Sequence, residues 1–366
     1  MISFQPTDEE VAFVEIADKF AREQIRPKMR ISEAKKQISE KLIHDLTNLG
    51  FLTMEEPEEM GGLELPLTQQ VQVHQSLAFG DLGIIQGISG FNDGKSFLRA
   101  LPNKTKLKEK LRDENTIAYI SSLTDQAFST LKLENNQLTG KSLPIRLAKI
   151  ATDFMIAIKD EEQTTHLALI PYQPDKQAIE GKSYLGLINA EIGTVTFNER
   201  ITENNLIAKG DEADEIIKQA EMRIHVLQAA KQVGLMQAAI EYATEYSATR
   251  KTFGQEIAKF QAVSFRISKM IIEKQVTENF VLEAASAIDN FDSLAYQKQL
   301  KTIHQAHRAV KYITDSAVQL LGGHGFVNEY PVEKWMRDAQ AQVILYGNER
   351  GFKQLYGMEL LGGDKA

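Results

Sequence analysis

The hydrophobic pattern of this chain changes period twice, and that change limits its possible folds more than any single motif. Up to about residue 115, apolar residues recur at helical spacing. Thr7 with Glu10 three residues later reads as a capping box, followed by a buried stripe through Phe13, Ala17 and Phe20, and Pro27 stops that helix or begins its end. A second helix is predicted over about 40–49, and helical patterns recur over 67–79 and 94–112. Between them Pro57, Gly61, Gly62 and Pro66 force a loop. At Thr116 the pattern becomes strand-like: TIAYISSL, TLKLENNQLTG, DFMIAIKDEEQTTHLALI and GTVTF are short β-rich runs divided by Asn-Asn, Asp-Glu and Gly turns. After Asp211 helical spacing returns and persists to Leu355, enough for four or five helices of a bundle. The 366 residues exceed one ordinary core. The expectation is an α+β multidomain protein: an N-terminal α-helical domain at 1–115, a middle β-domain at 116–212 and a C-terminal helical bundle at 213–366.

Bulk chemistry removes several function classes. Lys and Arg number 42 against 50 Asp and Glu, a net charge of -8, which offers no basic field to nucleic acid or an anionic membrane. The chain has no cysteine, excluding disulfides, thiolate metal sites, iron–sulfur ligation and thiol catalysis, and fitting a reducing cytoplasm. The start, MISFQPTDEE, lacks the features of a signal peptide, and no apolar run reaches membrane-spanning length, so a soluble cytoplasmic protein is expected. His304 and His307 share a helix face at i, i+3 spacing, but no carboxylate partner lies nearby in sequence. They are read as structural, and no metal is expected. Gly322–Gly325 follows a helix, where a dinucleotide fingerprint must follow a strand. No Walker loop or nucleophile elbow occurs.

Residues 241–270 read EYATEYSATRKTFGQEIAKFQAVSFRISKM. Phe260, Val263, Ile267, Met270 and Ile271 mark the buried face of a core helix, Ala239 to Thr249 a preceding one, and Gly254 closes the first before the second begins. The corner projects Arg250, Thr252 and Phe253. A guanidinium, a hydroxyl and a ring suit a diphosphate carrying an aromatic system; the same corner also suits an ordinary surface ion pair.

Read as strings, Tyr246–Gln261 (YSATRKTFGQEIAKFQ) and Ala317–Ala339 (AVQLLGGHGFVNEYPVEKWMRDA) closely resemble two signatures of the acyl-CoA dehydrogenase family, and PEEMGG is similar as well. The resemblance spans almost the whole chain. It implies FAD lying between the β-domain and the bundle of a homodimer or homotetramer, an acyl-CoA thioester or related small molecule as substrate, and a flavoprotein as electron acceptor. It carries Arg250, Thr252, Phe253 and Gln261 over as cofactor-binding residues, held toward a neighbouring subunit, joined by Gln319, Gly322 and Gly323. In the flavin-ring region Ser122 stands for the family's threonine and Phe128 for its serine, within SSLTDQAFS. Where the family reads Trp-Ile-Thr, this chain has Pro144, Ile145 and Arg146.

The resemblance departs most at the catalytic base. Removing a proton alpha to a thioester carbonyl calls for a carboxylate beside the flavin. Aligned on the family's YEGT string, ILYGNERGF puts Tyr346 in the glutamate's place. The position used by other members falls on Ile224 and His225. A phenol costs about 4 kcal/mol to ionise at pH 7. Tyr346, and Glu349 three residues later, are the catalytic candidates; Glu349 also reads as a surface acid. Three readings follow: an FAD-dependent acyl-CoA dehydrogenase with an unusual base in fatty acid metabolism, a flavin oxidoreductase with other chemistry on the same fold, or a non-catalytic homologue acting as an assembly partner.

Overall fold

The structure is a computed structural model describing residues 7–102, 115–123, 130–181, 184–347 and 349–361; the side chain of Glu349 and the whole of Phe128 lie outside what it describes. Helix, strand and helix follow one another as the changing period implies. Helices α1 (Asp8–Phe20), α2 (Met29–Lys35), α3 (Glu40–Asn48), α4 (Leu67–Gly80), α5 (Leu82–Gly87) and α6 (Gly94–Ala100) come first. Thr7 caps α1 in the expected reciprocal box with Glu10, and Ala17 and Phe20 are buried. The end of α1 begins at Phe20, ahead of Pro27. The helix loosens into a π-turn at Ala21–Ile25, and Pro27 sits in the 3-10 turn that follows.

Strands β1 (Ile117–Ser121), β2 (Lys132–Glu134), β3 (Gln137–Lys141), β4 (Asp153–Lys159), β5 (Thr165–Pro171), β6 (Gln177–Glu180), β7 (Thr194–Arg200) and β8 (Leu206–Lys209) form two four-stranded sheets. Their orders are β1-β4-β5-β8 and β2-β3-β7-β6. Only the β1–β4 pair in these sheets is parallel. Strand β4 explains how the layers stack. Phe154, Ile156 and Ile158 point into the core between the sheets, whereas Met155 and Ala157, on the opposite face, join the core shared with α6 and the next long helix. The first sheet is therefore buried on both faces.

That helix, α7 (Asp211–Thr249, 39 residues), is the axis of the bundle. Around it pack α8 (Gln261–Asp289), α9 (Ala295–Leu321), α10 (Val332–Leu345) and α11 (Glu349–Leu360). At Gly234 a Cβ would come 2.2 Å from the Gln75 carbonyl of α4, so a glycine is what lets α4 and α7 lie this close. Lys334 closes the far side. Its Nζ reaches Asp81 and Asp338, each at 2.6 Å and all three buried, while the Asp338 carboxylate also accepts the Leu187 N–H. Helices α5 and α10 are thus tied to the segment entering β7.

The corner after α7 differs from expectation in two ways. The helix stops at Thr249, and Gly254 is no helix cap: Lys251–Thr252 (β9) pairs with Gln255–Glu256 (β10), with Phe253 at φ 49° and Gly254 at φ 79° in a two-residue hairpin turn. Nor is the start of α8 a core helix. Ile267 and Met270 are buried, but Phe260 and Val263 are only half covered and Ile271 is 47 % exposed, because α8 lies on the outside of the bundle and presents only a narrow stripe inward. Phe265 and Ile272, 67 % and 62 % exposed, face outward from it.

Candidate active site

Tyr346 caps the C-terminus of α10, and its hydroxyl donates to Asp93 Oδ2 at 2.8 Å. Asp93 lies just before α6 and accepts three more bonds: Arg146 Nε to Oδ2 at 3.0 Å, Arg146 Nη2 to Oδ1 at 3.1 Å and Gln228 Nε2 to Oδ1 at 3.1 Å. Four donors therefore meet the roughly four lone-pair sites of one carboxylate. Burial works to raise the Asp93 carboxyl, yet the Arg146 guanidinium outweighs it and holds the group below the usual carboxylate range. Tyr346 moves the other way. Burial, with the facing Asp93 adding to it, pushes its phenol well above its ordinary value despite the opposing pull of Arg146, so it serves as a donor and is poorly placed to act as a base.

Behind this pair the interior stays polar. Gln86 Nε2 donates to Gln228 Oε1 and Gln342 Oε1, both at 2.6 Å, and Gln342 Nε2 donates to Gln228 Oε1 at 2.9 Å; all three glutamines are at most 1 % exposed. Among the described residues Lys231 Nζ hydrogen-bonds only to Gln86 Oε1, at 3.5 Å, and burial with Arg146 nearby pushes its amine well down. A cavity of about 20 Å³, room for roughly one water, lies among Asp93, Gln228, Lys231, His74 and Phe91.

One turn before Ile224 on α7 stands a carboxylate that sequence reasoning passed over. Glu221 is half-buried, and its Oε1 accepts the Tyr119 hydroxyl of β1 at 2.6 Å. Burial raises its carboxyl, with the Tyr119 and Ser121 hydroxyls drawing it partly back. Tyr119, Ile224 and Tyr346 share one apolar cluster between α6, α7 and the first sheet. Ile224 is itself buried. His225 is bonded through Nδ1 to Gln299 at 2.9 Å, and burial takes its imidazole down to about 4. Ser122 follows β1 with 7 % exposure, its N–H bonded to the Ala157 carbonyl at 2.9 Å.

The remaining predicted residues occupy a different place. Arg250, Thr252, Phe253 (93 % exposed), Gln261, Gln319, Gly322 and Gly323 are all on the surface. Beyond Gly254, Gly322 and Gly323, no heavy atom lies within 4 Å of where a Cβ would be. The Tyr246 hydroxyl bonds His324 Nδ1 at 2.9 Å, and His324 stacks on Tyr330 at 4.7 Å. Those contacts fasten the glycine turn to the last turn of α7, four residues before Arg250. The sequence-predicted residues thus form two groups: Tyr346 and Ser122 line the interior between bundle and sheet, and the other seven form an open surface at the bundle's end. Asp93, Arg146 and Glu221 complete the first group. Asp93 and Glu221 carry no motif, and a helical-face argument from Ile224 back by three residues is the one signal that reaches Glu221.

Models of the acyl-CoA dehydrogenase N-terminal domain and C-terminal domain match residues 7–93 and 220–352. Among curated proteins, an acyl-CoA dehydrogenase of Bacillus subtilis is 25% identical over 98% of this chain and 99% of its own length. A 3-(aryl)acrylate reductase of Clostridium sporogenes is 24% identical over 97% of this chain and 99% of its own length. Among solved structures, butyryl-CoA dehydrogenase of Megasphaera elsdenii superposes with a TM-score of 0.85 at 21% identity, covering 98% of this chain and 100% of the other. PigA, solved with FAD and proline, superposes with a TM-score of 0.87 at 19% identity, covering 98% and 99%. At such identities the superpositions describe the fold.

Proposed function

The chain belongs to the acyl-CoA dehydrogenase family, and from that premise we propose that it is an FAD-dependent oxidoreductase acting on an acyl thioester. The observation that carries this reading is the exposed set at the end of the bundle. Among the described residues no hydrogen bond or ion pair engages the Arg250 side chain, and Phe253 stands almost wholly in solvent, so the fold gains little from either. A guanidinium, a hydroxyl, two amides and an open glycine turn are the donor set of a diphosphate site. That half of FAD fits the residues present. At the other end Ser122 is the one expected polar residue near where the ring is placed by resemblance, because Arg146 is turned inward onto Asp93.

When bound, FAD supplies a two-electron acceptor for the hydride beta to the carbonyl. The chain's own part is to position, shield and deprotonate. Arg250, Thr252, Phe253, Gln261, Gln319, Gly322 and Gly323 would hold the diphosphate end, and a second copy there would also cover the apolar outer face of α8 at Phe265 and Ile272. The polar interior around Asp93 suits a short or polar acyl group better than a long aliphatic one. Tyr346 acts by donating to Asp93 and fixing the end of α10; Glu349 opens α11, one turn away. The visible spectrum of the purified protein, followed by anaerobic mixing with butyryl-CoA, tests the reading. A flavin band that bleaches is expected; a colourless protein that refuses added FAD would point instead to an assembly partner.

A further inference from the structure

Of the described carboxylates around the site, two approach the position where a base is required, and lone-pair accounting separates them. Asp93 has all its acceptor sites filled by Arg146, Gln228 and Tyr346. Glu221 accepts the Tyr119 hydroxyl at Oε1 and is drawn down further only by the neighbouring Ser121 hydroxyl, so among the described residues it meets two hydroxyls and no cation, and keeps acceptor capacity that Asp93 lacks. It sits on the same face of α7 as Ile224, where the resemblance puts the base of some family members, and the i, i+3 spacing brings the two Cβ atoms to roughly 5–6 Å. It also joins the side of α7 that meets β1, the strand leading to Ser122. Resting on the reading above, we propose that Glu221 is the group that removes the proton alpha to the thioester carbonyl, with Tyr119 as its positioning residue. The Cα–H bond breaks, its electron pair remains on the substrate as the enolate, and the proton goes to Glu221 Oε2.

The surroundings suit that task. A half-buried carboxyl that desolvation raises above its ordinary value is a stronger base than the clamped Asp93, which Arg146 holds low. The other titratable groups near Glu221 are phenols: Tyr119 from β1, raised well above its ordinary value, and Tyr296 from α9, raised to about 12. Both are neutral throughout the working range. Lys218, on Glu221's own helix, lies over the Tyr296 ring at 4.7 Å, and Glu359 of α11 acts on that same phenol. No cation is thus paired with Glu221 among the described residues, and its proton affinity is set by burial and by the Tyr119 and Ser121 hydroxyls.

The test uses the full chain as purified, with butyryl-CoA as probe. Mass spectrometry follows deuterium entering the alpha position in D₂O, and flavin bleaching is read on the same samples. Glu221→Gln, which keeps an acceptor for Tyr119, should slow both by at least roughly 100-fold with an unchanged circular dichroism spectrum. Glu221→Asp should restore part of the rate. Tyr119→Phe removes a donor to the ionised carboxylate, so the acid limb of the exchange profile should move to higher pH. Independently of any cofactor, an infrared carboxyl band that titrates in the wild type should vanish in Glu221→Gln and shift upward in pH in Tyr119→Phe. Bleaching that survives in Glu221→Gln at the wild-type rate rejects Glu221 and leaves the flavin reading standing. The absence of any titrating band lost in Glu221→Gln also rejects it. Wild-type protein that retains flavin yet neither exchanges nor bleaches rejects the acyl-thioester reading and Glu221 together.

Discussion

The interior cluster at Asp93 and the open surface at Arg250 are built from opposite materials. The first is a closed network in which a guanidinium, a phenol and Gln228 donate to the Asp93 carboxylate and three glutamines bond one another, at 2.6–3.1 Å, with at most a water's room between them. The second is a set of polar and aromatic side chains on a hairpin and a glycine turn that the fold scarcely engages. The first can be explained by stability within one chain. The second cannot, since an unengaged arginine and a solvent-exposed phenylalanine contribute little to folding. The family signature is written in the exposed region and altered in the interior one. That contrast is why the cofactor end of the function is easier to read than the substrate end.

The largest expected effect breaks the interior side of the contrast. Arg146→Met leaves Asp93 buried with only Tyr346 and Gln228 as donors, and stranding one partner of a buried ion pair costs about 3–5 kcal/mol. Urea unfolding should show it as a lower midpoint. A loss under about 1 kcal/mol would mean that water reaches Asp93 and that the network is far looser than its distances imply.

Acid should weaken the same interior next. Burial lowers His307 to about 3 and His225 to about 4, below the ordinary imidazole value near 6.5, so the folded state binds fewer protons than the unfolded chain in that interval. The sign is therefore a stability fully present above about pH 6.5 and lost as pH falls toward 4 and 3. By pH 5 the loss is roughly 2 kcal/mol for the fully buried His307. Urea midpoints from pH 7.5 to 5 should slope accordingly, and His307→Gln should flatten the slope.

How far each region was legible from sequence follows the same division. The period changes at Thr116 and Asp211 mark, within two residues, where β1 begins and α7 starts, because the two faces of a sheet and the one face of a helix each impose a spacing along the chain. The strands β6 and β8 and the helices α2 and α5 were not visible, being four to seven residues long with too few repeats to establish a period. At Phe253–Gly254 the sequence suggests a helix cap where the fold has the second residue of a hairpin turn; both uses need positive φ, and sequence does not tell them apart. The interior cluster was the least legible. Asp93, Arg146, Gln228 and Tyr346 lie 53 to 253 positions apart and meet only in the fold.

A smaller effect sharpens the role of Tyr346. Tyr346→Phe removes a hydrogen bond to a charged acceptor but leaves Asp93 paired with Arg146, so the loss should be about 1.5–3 kcal/mol in stability. Because Tyr346 donates to Asp93, the rate of alpha-proton exchange should fall far less than in Glu221→Gln. A loss of exchange equal to that of Glu221→Gln would return Tyr346 to the chemistry itself.

The smallest effect on stability is the most informative about the exposed side. Arg250 follows the last residue of α7 with no partner for its guanidinium among the described residues, so Arg250→Ala should leave the urea midpoint within about 0.5 kcal/mol of wild type. If the residue instead meets the diphosphate of a cofactor held between two copies, the same substitution removes a charge-assisted bond, and retention of FAD should fall by roughly 10-fold or more. Equilibrium dialysis against FAD measures the second quantity, and the two should separate: unchanged folding with weakened flavin. Phe253→Ala should behave likewise, whereas Arg146→Met should reverse the pattern and lose stability first. A variant at Arg250 that unfolds the protein would show that the hairpin is part of the fold after all, and one that binds FAD as tightly as wild type would remove the diphosphate from this surface.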